Sequence, residues 1–198
     1  MQHDKAAQII SRIKAKLAEN VGNISESINW NSKLLLSAVL VPFTFYKSEL
    51  KLIFTKRSAK LERHSGQVSF PGGIIEAGDK NPIDTAIRET QEEIGIKKTQ
   101  IEILGEMPPF NSSTGYYIYP IVGYISDLSG LQRNGIEVER IFCIPYTWLT
   151  EPKNSQLLDY QALDGTFRKI WFFDEYESEK LWGITAKITR DFVDLIEN

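Results

Sequence analysis

One helix, with both of its ends marked in the sequence, most constrains the fold of this chain. Asn81 is a residue type favoured at the N-cap, Pro82 suits the first helical position, and Gly95 is the residue expected just past a helix end. A short β-prone segment at residues 67–70 precedes the helix and is interrupted by the Pro-Gly-Gly of residues 71–73. The sequence therefore predicts a strand, a glycine-rich loop and a helix in succession.

The predicted helix carries a group of acids. Glu89, Glu92 and Glu93 stand at i, i+3 and i+4, so they project from one side of the helix, with Arg88 beside them. Like charges at this spacing repel one another, and a hard divalent cation prefers carboxylate oxygens as ligands. The pattern predicts a Mg²⁺ or Mn²⁺ site at Glu89 and Glu93, with Glu92 as a third ligand, directly or through water. The alternative is a solvated acidic face.

This arrangement resembles the Nudix box, written Gly-x5-Glu-x7-Arg-Glu-U-x-Glu-Glu-x-Gly-U, where U is an aliphatic residue. Residues 88–96 match its second half, with a threonine at one position that is usually aliphatic. The first half departs from the pattern, because Gly73 to Arg88 is one residue longer and Asp79 occupies the early Glu position. A longer box of this kind, with Thr-Ala at residues 85–86, is similar to that of the coenzyme A diphosphatase branch.

A second motif upstream is similar to the coenzyme A signature of the same branch, approximately Leu-Leu-Thr-x-Arg-Ser-x3-Arg-x3-Gly-x3-Phe-Pro-Gly-Gly. Residues 53–58 and 66–73 match it at the right spacing, whereas Glu62 stands where the signature has arginine. The resemblance implies that substrate is bound by Arg57, Ser58, Arg63, Gly66, Gln67 and Gly72. The alternative for these residues is a charged loop that caps its own backbone. Residues 134–138 and 181–186 resemble later elements of the branch.

The resemblance implies an α/β fold, a Nudix α/β/α sandwich with a mixed β-sheet flanked by helices. It implies metal-dependent cleavage of coenzyme A or its derivatives to adenosine 3′,5′-bisphosphate and 4′-phosphopantetheine, with catalysis by Glu89, Glu92, Glu93 and Arg88. The Gly73 carbonyl would join the metal ligands. The identity of the general base is left open. It is one of these glutamates or an acid from a distant loop, for which Glu137 and Glu139 are the candidates. The substrate alternatives are ADP-ribose, a dinucleotide or a nucleoside triphosphate, and the functional alternative is a ligand-sensing domain without turnover.

Length, charge and cysteine content exclude several other classes. A chain of 198 residues fits one domain spanning 1–198, with residues 1–30 as a helical extension outside the family resemblance. A net charge of -3 argues against broad nucleic-acid binding. The single cysteine, Cys143, permits no internal disulfide, and the sequence shows no signal peptide or membrane span. We expect a cytoplasmic protein whose partner is a small-molecule substrate, with no nucleic acid or membrane. The sequence does not determine the oligomeric state, and a homodimer is among the alternatives.

The remaining elements follow from apolar periodicity. His64 is predicted to be structural and not a general base, because no carboxylate partner is evident, and Trp182 is predicted to pack against the core and not to stack on adenine. The sequence predicts helices at residues 5–18 and about 179–196, and strands at residues 34–46, 50–55, 101–107, 116–125, 139–144 and 167–173.

Overall fold

The computed structural model describes residues 2–20, 33–61, 64–162 and 165–197. Two 3₁₀ turns, Lys98–Gln100 and Pro152–Asn154, add to the regular elements. The helices and strands, in chain order, are α1 Gln2–Asn20, β1 Leu35–Tyr46, β2 Glu49–Arg57, β3 Val68–Ser69, β4 Gly72–Ile74, α2 Pro82–Ile94, β5 Ile101–Glu106, β6 Phe110–Asn111, β7 Tyr116–Ile125, β8 Val138–Pro145, α3 Tyr146–Leu149, β9 Ser155–Gln161, β10 Phe167–Phe173 and α4 Gly183–Glu197.

The main sheet is mixed and has eight strands. Its central path runs β3-β2-β1-β7-β5, while β4 pairs with β1, β6 with β7 and β8 with β2. The β1–β7 pair is parallel, from Leu35 opposite Tyr116 to Phe43 opposite Tyr124, and its other strand pairs are antiparallel. The β9 and β10 strands form a separate two-stranded hairpin. This architecture confirms the predicted α/β class with a mixed sheet flanked by helices.

Strand β1 supplies both faces of the core because its side chains alternate across the sheet. Ala38 and Leu40 pack in a buried cluster with Ala86 of α2. Val41 and Phe43 belong to a second, larger cluster, which also contains buried residues of α1 and α4. Helix α2 therefore covers one face of the sheet, and α1 and α4 cover the other.

The N-terminal helix takes part in this packing. Ile13 is fully buried and Leu17 is 2% exposed, both within the larger core cluster. Gly105 of β5 permits the contact, since a Cβ added there would lie 2.9 Å from Leu17 Cβ. Arg12 Nη2 also donates a hydrogen bond of 2.6 Å to the carbonyl of Ile196 in α4. A segment outside the motif resemblance thus contributes to the core.

Helix α2 has the predicted ends. The Asp84 backbone N–H donates to Asn81 Oδ1 at 3.0 Å, so asparagine caps the first turn with Pro82 following it. At the other end Gly95 has φ 76° and donates its N–H to the Gln91 carbonyl. The left-handed conformation suits glycine, which has no Cβ to clash with the backbone.

The final helix begins later than the sequence predicted. It starts at Gly183 and not near residue 179, because residues 176 and 179 form an isolated β-bridge before it and Gly183 has φ 62°. The Pro-Gly-Gly segment likewise does more than end a strand, since β4 begins at Gly72 and pairs with Val39 of β1. A Cβ on Gly72 would lie 2.4 Å from the Ala38 carbonyl oxygen, so this close pairing needs glycine.

The helices of the described residues include none long and apolar enough to cross a lipid bilayer.

Candidate metal and diphosphate site

A cavity of about 500 Å³ lies between the β3–β4 segment, one face of α2 and the start of α4. We call it the acidic cavity, because four carboxylates and one guanidinium of the described residues line it. The charged residues at its wall are Arg57, Glu76, Glu89, Glu93 and Glu137. Such an excess of negative charge in a confined space is stabilised by a bound cation.

Glu93 is the most deeply placed of these acids, with 2% of the residue exposed. Its Oε1 lies 3.5 Å from Arg57 Nη1, and its Oε2 is buried without a hydrogen-bond partner among the described residues. Burial raises the pKa of the Glu93 carboxyl to about 8; Arg57 opposes that shift, and Glu89 and Glu137 add to it. A buried, under-bonded carboxylate of this kind is suited to receive a positive ligand.

Glu89 lies against the glycine loop. A Cβ added to Gly73 would come within 2.2 Å of Glu89 Oε1, so the absence of a side chain at this position leaves room for the carboxylate. Burial raises the pKa of Glu89 as well, although its contact with Arg88 acts in the opposite direction. The backbone of Gly73 and the carboxylate of Glu89 are thus neighbours, as a shared ligand set requires.

Arg88 holds the helix to the preceding loop. Its Nε and Nη2 donate to the two carboxylate oxygens of Asp79 at 3.2 and 2.9 Å, and its Nη1 donates to Glu89 Oε1 at 2.8 Å. Asp79 also accepts from the Thr85 hydroxyl and the Glu76 backbone N–H. The Arg88 contact is the main cause that lowers the pKa of Asp79 to about 2. Arg88 therefore positions Glu89 and does not face the acidic cavity.

Glu92 is placed differently from the other two helix acids. Its side chain is 57% exposed, it lies 3.4 Å from Arg88 Nη1, and it is absent from the cavity wall. Within the described ranges, no three His, Cys, Asp or Glu side chains already form a cluster able to hold a metal ion. The structure therefore brings Glu89 and Glu93 together at the cavity and leaves Glu92 at its outer edge.

A divalent cation nevertheless fits this group of residues. Glu93 Oε2 is a buried carboxylate oxygen without a partner, and Glu89 and the Gly73 backbone line the same cavity. All are hard oxygen donors, the type that Mg²⁺ and Mn²⁺ prefer. Glu89, Glu93 and the Gly73 carbonyl are the residues that would hold such an ion.

Comparison with known proteins decides the family. A profile of the NUDIX domain matches residues 35–172, which is more than half of the chain. The chain belongs to the Nudix family. This membership confirms the predicted resemblance to the Nudix family, and the helix α2 is accordingly called the Nudix helix below.

Individual relatives agree with the family profile. An "Uncharacterized Nudix hydrolase NudL" of Photorhabdus laumondii is 36% identical over 161 residues, which cover 81% of this chain and 84% of the relative. A protein of the same description from Yersinia pestis is 32% identical over 93% of this chain and 91% of its own length. The crystal structure of a MutT/nudix family protein from Enterococcus faecalis has a TM-score of 0.54 at 16% identity, covering 87% of this chain and 66% of that one. That likeness supports the fold.

The residues assigned to substrate by the upstream motif divide into three groups. Arg57, Gln67 and Gly72 line the acidic cavity beside the Nudix helix. Ser58 and Gly66 do not: the Ser58 hydroxyl accepts the Lys60 N–H at 3.3 Å, and Gly66 turns the chain at φ 69°. Both stabilise the loop that follows β2. The two remaining motif positions, Arg63 and Glu62, lie outside the described residues.

The structure also distinguishes the two candidate general bases, Glu137 and Glu139. Glu137 lines the acidic cavity and raises the pKa of both Glu89 and Glu93. Glu139 instead lies 3.5 Å from Lys56 Nζ, in a group with Glu179, which lies 3.3 Å from the same nitrogen. Glu137 is therefore the acid that a distant loop brings to the Nudix site, and Lys56 is engaged by carboxylates.

Sequence reasoning missed two contributions to the cavity. Thr185 lines it from α4, where its hydroxyl donates to the Val68 carbonyl at 2.9 Å. His64 lines it from the loop after β2, with φ 55° and its Nδ1 3.1 Å from Gln67 Oε1. Thr185 falls in the 181–186 segment that resembles the branch, but its place in the cavity depends on the packing of α4 against β3; His64 is placed there by the turn that joins it to Gln67.

Proposed function

We propose that this Nudix chain hydrolyses the diphosphate of coenzyme A or its derivatives, with Mg²⁺ or Mn²⁺, to adenosine 3′,5′-bisphosphate and 4′-phosphopantetheine. The observation that carries the proposal is the approach of Arg57 to Glu93, with 3.5 Å between Nη1 and Oε1. Arg57 belongs to the motif that resembles the coenzyme A signature, and Glu93 belongs to the Nudix helix. The two motifs therefore face one cavity.

Each charged residue has a distinct task in the proposed reaction. A bound divalent cation neutralises diphosphate charge and helps to orient the attacking water. Glu89, Glu93 and the Gly73 carbonyl bind that ion, and Arg88 keeps the Glu89 carboxylate in place through its 2.8 Å hydrogen bond. Glu92, at the outer edge, contributes through water.

Arg57 contacts the substrate phosphate in this scheme. Its Nε is buried without a hydrogen-bond partner among the described residues, and its single contact with Glu93 is long at 3.5 Å. A guanidinium has several donors and binds phosphate oxygens in bidentate fashion. Glu137 accepts the proton of the attacking water, since it is the cavity-wall acid from a distant loop whose charge acts on both Glu89 and Glu93.

The proposal treats residues 1–198 as one domain that acts in the cytoplasm on a small molecule. It is tested by incubating the chain with Mg²⁺ or Mn²⁺ and, in turn, coenzyme A, dephospho-coenzyme A and ADP-ribose, and then identifying the products. We expect adenosine 3′,5′-bisphosphate from coenzyme A and little turnover of the other two. Turnover of ADP-ribose alone would overturn the substrate assignment, and no product from any substrate would favour a binding domain. Glu93→Gln serves as the inactive control.

A further inference from the structure

A second cavity of about 820 Å³ opens beside the acidic cavity. It lies between the β9–β10 hairpin, the loop after β6 and the first turn of α4. We call it the aromatic groove; its wall includes Phe110, Tyr160, Trp171 and Trp182. The two spaces are continuous because five residues line both of them, His64, Gln67, Val68, Ile184 and Thr185. A ligand whose diphosphate lies in the acidic cavity can therefore extend into the groove.

The aromatic side chains of the groove are held in place by their own packing. The Trp182 ring stacks on Phe172, with ring centroids 6.3 Å apart and planes at 9°, and Tyr160 lies 6.0 Å from it. Arg190 lies 5.7 Å from the Trp171 ring. Rigid aromatic surfaces at a cavity wall are suited to stack on a planar base, and such stacking tolerates any base because each has a π-face.

The charge of the groove is opposite to that of its neighbour. Among the described residues, Arg168, Lys169 and Lys187 line it together with one carboxylate, Asp191. Lys187 pairs with Asp191 at 2.5 Å, and Lys169 pairs with Asp159 at 3.2 Å in an exposed position. Exposed ion pairs of this kind are weak, so these two lysines can exchange partners when an anion arrives. A groove with surplus positive charge favours a ligand that carries negative charge of its own.

We propose that the aromatic groove binds a phosphorylated purine nucleoside, namely the 3′-phosphoadenosine half of the substrate. The base stacks on Trp182, and Arg168 and its neighbouring lysines contact the 3′-phosphate. This inference rests on the proposed function, because it takes coenzyme A as the substrate. The other half of coenzyme A, the pantetheine arm, carries no charge beyond the diphosphate and would not need the cations.

Arg168 also compensates for the departure from the upstream signature at Glu62. Glu62 replaces an arginine there, so one positive charge expected near the phosphates is lacking in the sequence. The hairpin residue Arg168 supplies a guanidinium from a segment more than a hundred residues away in the chain. Arginine binds phosphate with parallel N–H donors, so it can replace a missing contact without reproducing its position.

The test measures binding of substrate halves without catalysis. Adenosine 3′,5′-bisphosphate, adenosine 5′-monophosphate and 4′-phosphopantetheine are titrated into the full chain by isothermal calorimetry, without divalent cation. We expect the bisphosphate to bind most tightly. Arg168→Ala should weaken bisphosphate binding about tenfold and leave monophosphate binding unchanged, because only the former has a 3′-phosphate. Lys98→Ala, at a lysine absent from both cavity walls, is the matched control.

Two further variants test the stacking contact. Trp182→Leu should weaken binding of both nucleotides about tenfold, whereas Trp182→Phe should retain most of it, because base–aromatic stacking needs a ring. If Trp182→Leu fails to fold, the Arg168→Ala comparison still decides. Tighter binding of 4′-phosphopantetheine than of the bisphosphate, or equal effects of Arg168→Ala on both nucleotides, would overturn the inference. Nucleotide binding without coenzyme A hydrolysis would refute the proposed function but not the nucleotide site in the aromatic groove.

Discussion

Two of the arginine–carboxylate pairs at the Nudix helix, Arg88–Asp79 and Arg57–Glu93, differ in how completely they are bonded. Arg88 and Asp79 share two hydrogen bonds of 2.9 and 3.2 Å, and Asp79 accepts further bonds from its own loop and the helix. Arg57 and Glu93 share one contact of 3.5 Å, and each keeps a buried polar atom without a partner among the described residues. The pKa values also differ: the Arg88 hydrogen bonds lower the pKa of Asp79 to about 2, and burial raises the pKa of Glu93 to about 8.

We interpret the fully bonded Arg88–Asp79 pair as a contact that stabilises the fold, and the Arg57–Glu93 pair as one that retains bonding capacity for a ligand. Buried polar groups are nearly always hydrogen-bonded, so an under-bonded pair in a cavity is explained by what the cavity binds. Arg88 and Asp79 fix the glycine loop to the helix. Arg57 and Glu93 remain available, one to an anion and the other to a cation. Substitutions at the two pairs should therefore affect different observables.

The largest effect is expected at Glu93. Glu93→Gln replaces an anionic ligand with a neutral side chain of nearly the same shape, so kcat for coenzyme A with Mn²⁺ should fall by about 10²- to 10³-fold. The thermal midpoint of the metal-free chain should stay close to that of the parent, because the parent carboxyl with a pKa of about 8 is mostly protonated at neutral pH. Full activity in this variant would refute the ligand assignment.

Asp79→Asn should act on stability. Its folded pKa of about 2 lies below the ordinary 3.8, so the carboxylate stabilises the fold above about pH 4 and loses that contribution as the pH falls towards 2. At pH 7 the unfolding free energy should drop by about 2 kcal/mol, measured by urea denaturation. The difference between parent and variant should shrink at pH 3.

The control is Asp174→Asn, which changes an exposed carboxylate. It should leave the urea midpoint within experimental error of the parent. A loss at Asp79 no larger than that at Asp174 would show that the bidentate pair contributes nothing measurable.

Arg57→Ala should act on substrate binding. Loss of a guanidinium that contacts phosphate should raise KM for coenzyme A about tenfold and change kcat less, and Arg57→Lys should restore part of the affinity. Steady-state kinetics at saturating Mn²⁺ separates the two constants. An unchanged KM would contradict the phosphate role and leave Arg57 as a partner of Glu93 only.

The smallest effect is expected at Glu92. Its side chain is 57% exposed and lies off the cavity wall, so Glu92→Gln should lower kcat by no more than about tenfold. The same assay as for Glu93→Gln gives a direct comparison of two glutamates adjacent in sequence. A loss as large as that at Glu93 would make Glu92 a direct metal ligand.

Local signals in the sequence were sufficient to predict the Nudix helix. Asn81, Pro82 and Gly95 set its ends through contacts within a few residues, so the predicted and observed bounds agree. The longer strands of the main sheet were predicted for a similar reason, since burial imposes apolar periodicity on them, whereas the short strands β4 and β6 were not predicted. The helix also carries Glu89 and Glu93 to the acidic cavity because both positions follow from the helical repeat.

Features that depend on distant segments could not be predicted in the same way. Strand β9 has six exposed residues among its seven, so no buried stripe marked it. The late start of α4 follows from the bridge between Tyr176 and Glu179, a contact that periodicity does not encode. Glu137 was one of two equivalent candidates until tertiary packing placed it in the cavity and paired Glu139 with Lys56.

The packing of the first and last helices has a consequence for how this molecule can evolve. The NUDIX profile matches residues 35–172. This range contains none of Ile13, Leu17 and Phe192, which are all buried in the larger core cluster. If recombination moved residues 35–172 alone into another gene, one face of the sheet would be exposed to solvent. The unit that folds is therefore longer than the profile match, and the first and last helices must be inherited with it.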